Sequence, residues 1–296
     1  MKKTISIILC LFIAAISLVS CSSKKNEENN ATLWDSFYYT YDSAYSYDDA
    51  TIRAYEDLCK AIVNGSGEVR MNSAYFDDVM ALYNTSFPLS AIVESIEQSE
   101  SVYKIKYKYE DAHGKAYEFV EKTDEIQGAC NNEFNNDNMR AVKLYNYIAS
   151  SIKVSDNSAI TCYETIMTGE GTTFSYSKMF AYLLQQTGIK SYYVLCEDET
   201  GAAKAIVMAE LNEELYYFDV FKEFEDNEGK NLKYFGMTSE DIKAYGIKNA
   251  VFINSQPASD ASALRFEALR NCKKWELDEE NLLITKQDDE IVQIAL

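Results

Sequence analysis

Thr173, Lys204 and Asp219 are the residues of this 296-residue chain whose types and spacing bear most directly on chemistry. Thr173 opens a helical stretch, TFSYSKMFAYLL. Lys204 lies on the first strand of a hairpin read from AKAIVMAELNEELYYFD, and Asp219 closes the second. Acyl transfer at an amide needs a nucleophile, a base that takes its proton, and an acid that orients the base. A cysteine at a helix start is favoured as thiolate by the backbone N–H groups and the helix dipole. A threonine hydroxyl gains little there, because it loses its proton only far above neutrality. A lysine acts as a base only when neutral, and a neighbouring aspartate favours its charged form. The chemical use of the three residues is a threonine nucleophile activated by Lys204, as in Ser–Lys pairs. The structural use is Thr173 as a helix cap, Lys204 in an ion pair with Asp219 or Glu210, and Asp219 as a polar strand end. A third use makes Thr173 a polar ligand contact.

The hairpin has its own geometry. Asn212 and Glu213 make a two-residue turn between Leu211 and Glu214. That register sets Ile206 opposite Asp219 and Lys204 opposite the position of Phe221. Lys204 and Asp219 then share a sheet face as diagonal neighbours, about 7–8 Å apart at the backbone, which long side chains can close.

The elements around these residues follow from apolar spacing. Residues 48–64 read as a helix with Ile52, Tyr55, Leu58 and Ile62 on one face, ended by Gly65. A short helix covers 74–84, and strands follow at 90–97 and 102–110, the second alternating apolar residues with lysines. Helices are expected at 116–134, 138–152, 158–168 and 173–186, then strands at 190–196, 203–211 and 214–220. KYFGMTSEDIKAYG gives a short strand and a helix begun by Thr238 or Ser239. The tail holds a helix at about 260–274 and a strand pair at 282–294.

Composition narrows the function. The net charge of −19 argues against nucleic acid and against adhesion to anionic lipid through a basic surface. A single histidine, His113 in a turn-like EDAHGK, rules out a histidine-rich metal site, and no cofactor is expected. Cys59, Cys130, Cys162, Cys196 and Cys272 show no CxxC pair or zinc spacing, and read as buried small hydrophobes. Cys162 or Cys196 would need His113 as a partner to act as nucleophile, and His113 falls outside their region.

The first residues, MKKTISIILCLFIAAISLVSC, have an export-signal layout: Lys2 and Lys3, then an apolar run from Ile5 to Ser20. The run is short for a membrane span, which needs about 20 residues. Leu18-Val19-Ser20-Cys21 resembles the bacterial lipoprotein processing box. The resemblance implies cleavage before Cys21, lipid on its thiol, and anchorage to the outer face of a bacterial membrane. The polar residues after it read as a tether.

GEGTTFSYSKMF, from Gly169, is similar to the Gly-x-Gly-Val-Cys-x-Gly-Tyr-Ala/Ser helix start of the transglutaminase-like superfamily, with Thr173 at the cysteine position. Lys204-Ala205-Ile206-Val207 stands where that family has His-Ala-Trp-Asn, and Tyr216-Tyr217-Phe218-Asp219 resembles its Trp-Tyr-x-Val-Asp ending. The family's glycine and tryptophan positions hold Ser175 and Ile206. The resemblance implies an α+β fold with a papain-like core, helices packed on an antiparallel sheet. It also implies an N-terminal α/β extension and a short C-terminal extension. Expected boundaries are 1–20 for the signal, 21–47 for the tether, 48–135 for the N-terminal region, 136–256 for the core domain and 257–296 for the tail. With cysteine and histidine replaced, the expectation is a non-catalytic surface lipoprotein. Its ligand would be a peptide, a protein or a cell-wall fragment, contacted by Tyr176, Ile206 and Tyr217. The alternative is an acyl transferase or amide hydrolase with an altered nucleophile.

Overall fold

A four-stranded antiparallel sheet positions the residues of interest. Its strands are β6 (Ser191–Glu197), β7 (Ala203–Leu211), β8 (Glu214–Phe218) and β9 (Lys248–Phe252), in the order β8-β7-β6-β9. The computed structural model describes residues 47–131, 136–253, 256–278, 281–285 and 290–296. The signal-like segment, Cys21 and all of the expected tether but its last residue lie outside the described residues.

Helices α1 (Asp49–Val63) and α2 (Phe76–Ser86) precede strands β2 (Val93–Ser99) and β3 (Val102–Tyr107). β1 (Glu68–Arg70) joins them in an antiparallel sheet of order β1-β3-β2. Asp48 starts α1 by accepting the Thr51 N–H at 2.7 Å. Then come α3 (Ala112–Asn131), α4 (Asp137–Ser151), α5 (Cys162–Thr168) and α6 (Thr173–Gln186), with β4 (Lys153–Val154) and β5 (Glu170–Gly171) forming a short parallel pair. Gly169 ends α5 in the left-handed conformation at φ 74°, a position suited to glycine.

The two faces of the main sheet bury different cores. Val207 and Phe218, paired in register, face α6 and α4, where the Phe218 ring lies 5.6 Å from Phe180 and 6.4 Å from Tyr145. The other face carries Val194, Ile206, Met208 and Tyr217, packed against Met237 and Ile242. Ile242 belongs to α8 (Ser239–Ala244), which Thr238 caps with a reciprocal box. Between β8 and α8 runs α7 (Val220–Asn227). β10 (Lys274–Leu277), β11 (Asn281–Thr285) and β12 (Ile291–Ala295) form a separate antiparallel sheet. The fold is thus α+β, with helices packed on antiparallel sheet.

The hairpin forms in the expected register, with Leu211 opposite Glu214 and Val207 opposite Phe218. Asn212 and Glu213 both have positive φ, 51° and 67°, as the two-residue turn requires. Several points differ from expectation. The short strand expected in KYFGM does not form, and Met237 makes only an isolated bridge to Tyr217. β8 stops at Phe218 rather than reaching 220, because Asp219 already caps α7. The tail helix at 260–274 is absent: a 3₁₀ turn covers Glu267–Asn271 and the alternating KWEL segment pairs as β10. His113 lies in the first turn of α3, not in a loop, with Nδ1 2.8 Å from the Val63 carbonyl. β9 was not expected: four of its five residues are exposed, so it lacks an apolar period.

Candidate functional site

Helix α6 begins one residue earlier in function than the sequence suggests. Thr172, not Thr173, is its cap. Ser175 donates its N–H to Thr172 Oγ1 at 3.5 Å, and Thr172 donates its N–H to Ser175 Oγ at 2.9 Å. The Thr173 hydroxyl is therefore free of capping duty and reaches β7. It donates to the Ala205 carbonyl at 3.2 Å and accepts the Ala205 N–H at 3.5 Å.

The strand ladder explains that contact. The Glu210 N–H donates to the Lys190 carbonyl, so the even residues of β7 turn their main-chain groups toward β6. Odd residues turn theirs toward β8. Ala205 would be served by position 220, but the chain has left the sheet there to form α7. The buried main chain of Ala205 must find other partners. Thr173 supplies a donor and an acceptor in one hydroxyl. Ser177, one turn along α6, adds a second donor to the Ala205 carbonyl at 2.8 Å.

Lys204 points the other way. It stands opposite Cys196 in register and shares the face of Ile206. Its ammonium forms an ion pair with Asp219 Oδ2. Asp219 is 1% exposed and the Lys204 side chain 12%. Asp219 Oδ1 accepts the Lys222 N–H at 3.0 Å and caps α7. Tyr145 donates its hydroxyl to the Asp219 carbonyl at 3.1 Å. Of the two partners open to Lys204, Glu210 instead meets Lys190 at 3.4 Å. The structure thus brings Lys204 and Asp219 together and ties Thr173 to the residue beside Lys204. Thr173 and Lys204 do not hydrogen-bond to each other.

A cavity of about 290 Å³ opens beside the ion pair. Lys204, Asp219, Lys222, Asp226, Tyr234 and Tyr245 are among its walls, with Asp198, Glu199 and Glu225. Lys222 pairs with Asp226 at 2.8 Å, and Tyr234 donates its hydroxyl to the same carboxylate. Burial pushes the Asp226 carboxyl up, but those two hydrogen bonds outweigh it and hold the group below its ordinary value. The hydrogen bond from Lys222 correspondingly raises that amine. Behind this wall lies Glu223, fully buried, which accepts the Tyr234 N–H at 2.8 Å and the Tyr145 hydroxyl at 3.3 Å. Burial raises its carboxyl above the ordinary range, against the pull of those hydrogen bonds.

The proposed binding residues do not line this cavity. Ile206 and Tyr217 are buried in the sheet core facing Met237. Tyr176 is a buried residue of α6, its hydroxyl donating to the Gly169 carbonyl and accepting the Lys153 N–H at 2.9 Å. The aromatic spacing that suggested a groove builds core instead. The remaining thiols are buried, as expected: burial pushes Cys162 and Cys196 each up to about 12, which keeps them protonated and unreactive at neutral pH. Among the described residues no cluster of histidine, cysteine or carboxylate side chains could hold a metal ion, and no helix is long and apolar enough to cross a membrane.

Sequence reasoning missed Ser177, Glu223 and Tyr234. Ser177 could have been found, since it lies four residues after Thr173 on the same helix face. Glu223 gave no signal: its FKEFEDN setting looks like a solvated helix.

No family model matches the chain, and no curated protein matches it. Among solved structures it is similar to a candidate cysteine protease from Cytophaga hutchinsonii, with 10% identity, a TM-score of 0.32, and 49% of this chain and 55% of that one covered. It is also similar to a TGase, with 11% identity, a TM-score of 0.31, and coverage of 61% and 54%. LapG of Legionella pneumophila aligns at 12% identity and a TM-score of 0.30, covering 62% of this chain and 83% of its own. The chain spans about half the length of the first two structures.

Proposed function

We propose that this chain is a non-catalytic transglutaminase-like protein, anchored by lipid on Cys21 to the outer face of a bacterial membrane. It binds a peptide, protein or cell-wall ligand at the cavity beside Lys204 and Asp219. One observation carries the non-catalytic reading: the hydroxyl at the nucleophile position and the ammonium at the base position are each committed to a structural partner. Thr173 completes the β7 ladder at Ala205. Lys204 is paired with a buried carboxylate. An ammonium held by a buried carboxylate cannot take a proton from a hydroxyl. The reading of the cavity as the ligand site rests on its size and on the polar groups that converge there. The anchoring reading rests on Lys2, Lys3, the apolar run to Ser20 and Cys21.

The test is amine incorporation. Purified protein is incubated with dansylcadaverine and casein, and with a fluorogenic amide substrate. The expected result is no turnover above a Thr173→Val control. Incorporation that this variant abolishes would overturn the proposal. Anchorage is read separately, by whether Cys21→Ala moves the protein from the membrane fraction to the soluble one.

A further inference from the structure

Three pieces of chain bound the cavity beside Lys204: the β6–β7 loop, α7 and the end of α8. Its charged lining is uneven, with five carboxylates against two lysines, and both lysines already have partners. Lys204 pairs with Asp219 and Lys222 with Asp226. Asp198 and Glu199 on the loop and Glu225 on α7 form no ion pair among the described residues. Asp198 is fixed in place, its Oδ1 accepting the Thr200 N–H at 2.8 Å, the Thr200 hydroxyl at 2.7 Å and the Ala202 N–H at 3.0 Å. Those bonds hold its carboxyl below the ordinary value, and so charged at neutral pH. Tyr234 and Tyr245 supply an aromatic wall and meet edge to face with their ring centroids 4.9 Å apart. The Lys233 ammonium, from outside the lining, lies 5.0 Å from one centroid and 5.3 Å from the other. The aromatic pair therefore already draws one cation of the chain itself. Burial raises both phenols, so the rings stay neutral.

We propose that this cavity receives a guanidinium group, the arginine side chain of a peptide; the proposal rests on the reading of the cavity as the ligand site. Unpaired carboxylates on the loop and on α7, with two tyrosines beside them, are complementary to a positive charge. A guanidinium suits these walls better than an ammonium. It is planar, so it can lie against a ring while its edge meets carboxylates through paired hydrogen bonds. It is also the more weakly hydrated of the two, so it enters a cavity at a smaller desolvation cost. A space of about 290 Å³ suits one side chain rather than a larger ligand. A carboxylate or phosphate ligand would add negative charge to a lining that already has a surplus, and both lining lysines are paired.

The test titrates acetyl-Gly-Arg-Gly-amide calorimetrically into the full chain, beside the same peptide carrying citrulline, lysine or glutamate in place of arginine. Citrulline keeps the planar shape and lacks the charge. The arginine peptide is expected to bind about ten-fold or more tightly than the citrulline peptide, the discrimination of one charged hydrogen bond. It should also bind more tightly than the lysine peptide, and its affinity should fall as salt is added. Glu199→Gln with Glu225→Gln, both at exposed positions, should remove most of the preference over citrulline. Ala244→Trp, which fills the cavity from an exposed position, should abolish binding. Thermal unfolding of the variants checks their folding, and the comparison among peptides needs no variant. Equal or tighter binding of the citrulline, lysine or glutamate peptide, abolished by Ala244→Trp, would overturn the guanidinium assignment while leaving the cavity as the ligand site. Arginine-peptide binding that survives Ala244→Trp in a folded protein would overturn both. No saturable binding of the arginine peptide at millimolar concentration, or an unchanged preference in the folded double variant, would also overturn the assignment.

Discussion

Breaking the Lys204–Asp219 pair should cost more from one side than from the other. Asp219 is 1% exposed, whereas Lys204 lines an open cavity. Lys204→Met leaves a buried carboxylate with the Lys222 N–H as its remaining hydrogen bond, and should destabilise the fold by about 3–5 kcal/mol. Asp219→Asn keeps an oxygen to cap α7, and the stranded ammonium can turn toward water in the cavity. Its cost should be smaller, about 2 kcal/mol. Asp219→Ala also loses the cap and should cost about 1 kcal/mol beyond that. The double variant Lys204→Met with Asp219→Asn contains no stranded charge, so it should be more stable than Lys204→Met alone, with a coupling energy of about 3 kcal/mol, larger than the cost of Asp219→Asn. Urea unfolding of the wild type and these four variants, followed by circular dichroism at constant m-value, measures all of this. Additive costs below about 1 kcal/mol each would place the pair among weak surface contacts. That result would refute the claim that Lys204 is committed to Asp219, and with it the main argument against catalysis.

Thr173→Val should destabilise the fold by about 1–3 kcal/mol, because it strands the buried Ala205 N–H, while Thr173→Ser should be close to neutral in the same urea assay. Thr173→Cys with Lys204→His should not give robust amide turnover in the dansylcadaverine assay, since the glycine and tryptophan positions of the motif remain Ser175 and Ile206. Robust turnover would show that the two side chains can meet. Glu223 has a carboxyl raised above its unfolded value. Folded protein therefore holds a proton there that unfolded chain has released, and stability falls as pH rises from the unfolded carboxylate value through the raised one. Glu223→Gln should flatten that slope in pH-dependent thermal melts, and an unchanged slope would remove Glu223 as its source.

Much of the frame was legible because it rests on short-range chemistry. The Asn212-Glu213 turn fixes the β7–β8 register, and that register alone predicts the Lys204–Asp219 diagonal. Gly169 after α5 and Thr238 before α8 mark helix ends by capping preference. What was not legible depends on long-range packing. The tail strand β10 exists because β11 pairs with it, and the helix expected at 260–274 gives way to a 3₁₀ turn over Glu267–Asn271. Burial of Tyr176, Ile206 and Tyr217 could not be told from exposure in a groove, since aromatic spacing is the same in both cases.

The least legible point was the role of Thr173, because it depends on where another strand stops. Had β8 continued to residue 220, Val220 would have bonded Ala205 and left the Thr173 hydroxyl without work. Because Asp219 caps a helix instead, one residue ends β8, starts α7 and anchors Lys204. The hydroxyls of Thr173 and Ser177 then close the gap in the ladder. A thiol at 173 would be a weaker donor and acceptor for that gap. The stop of β8 at Phe218 and the use of Thr173 as a hydrogen-bonding plug are thus two parts of one arrangement.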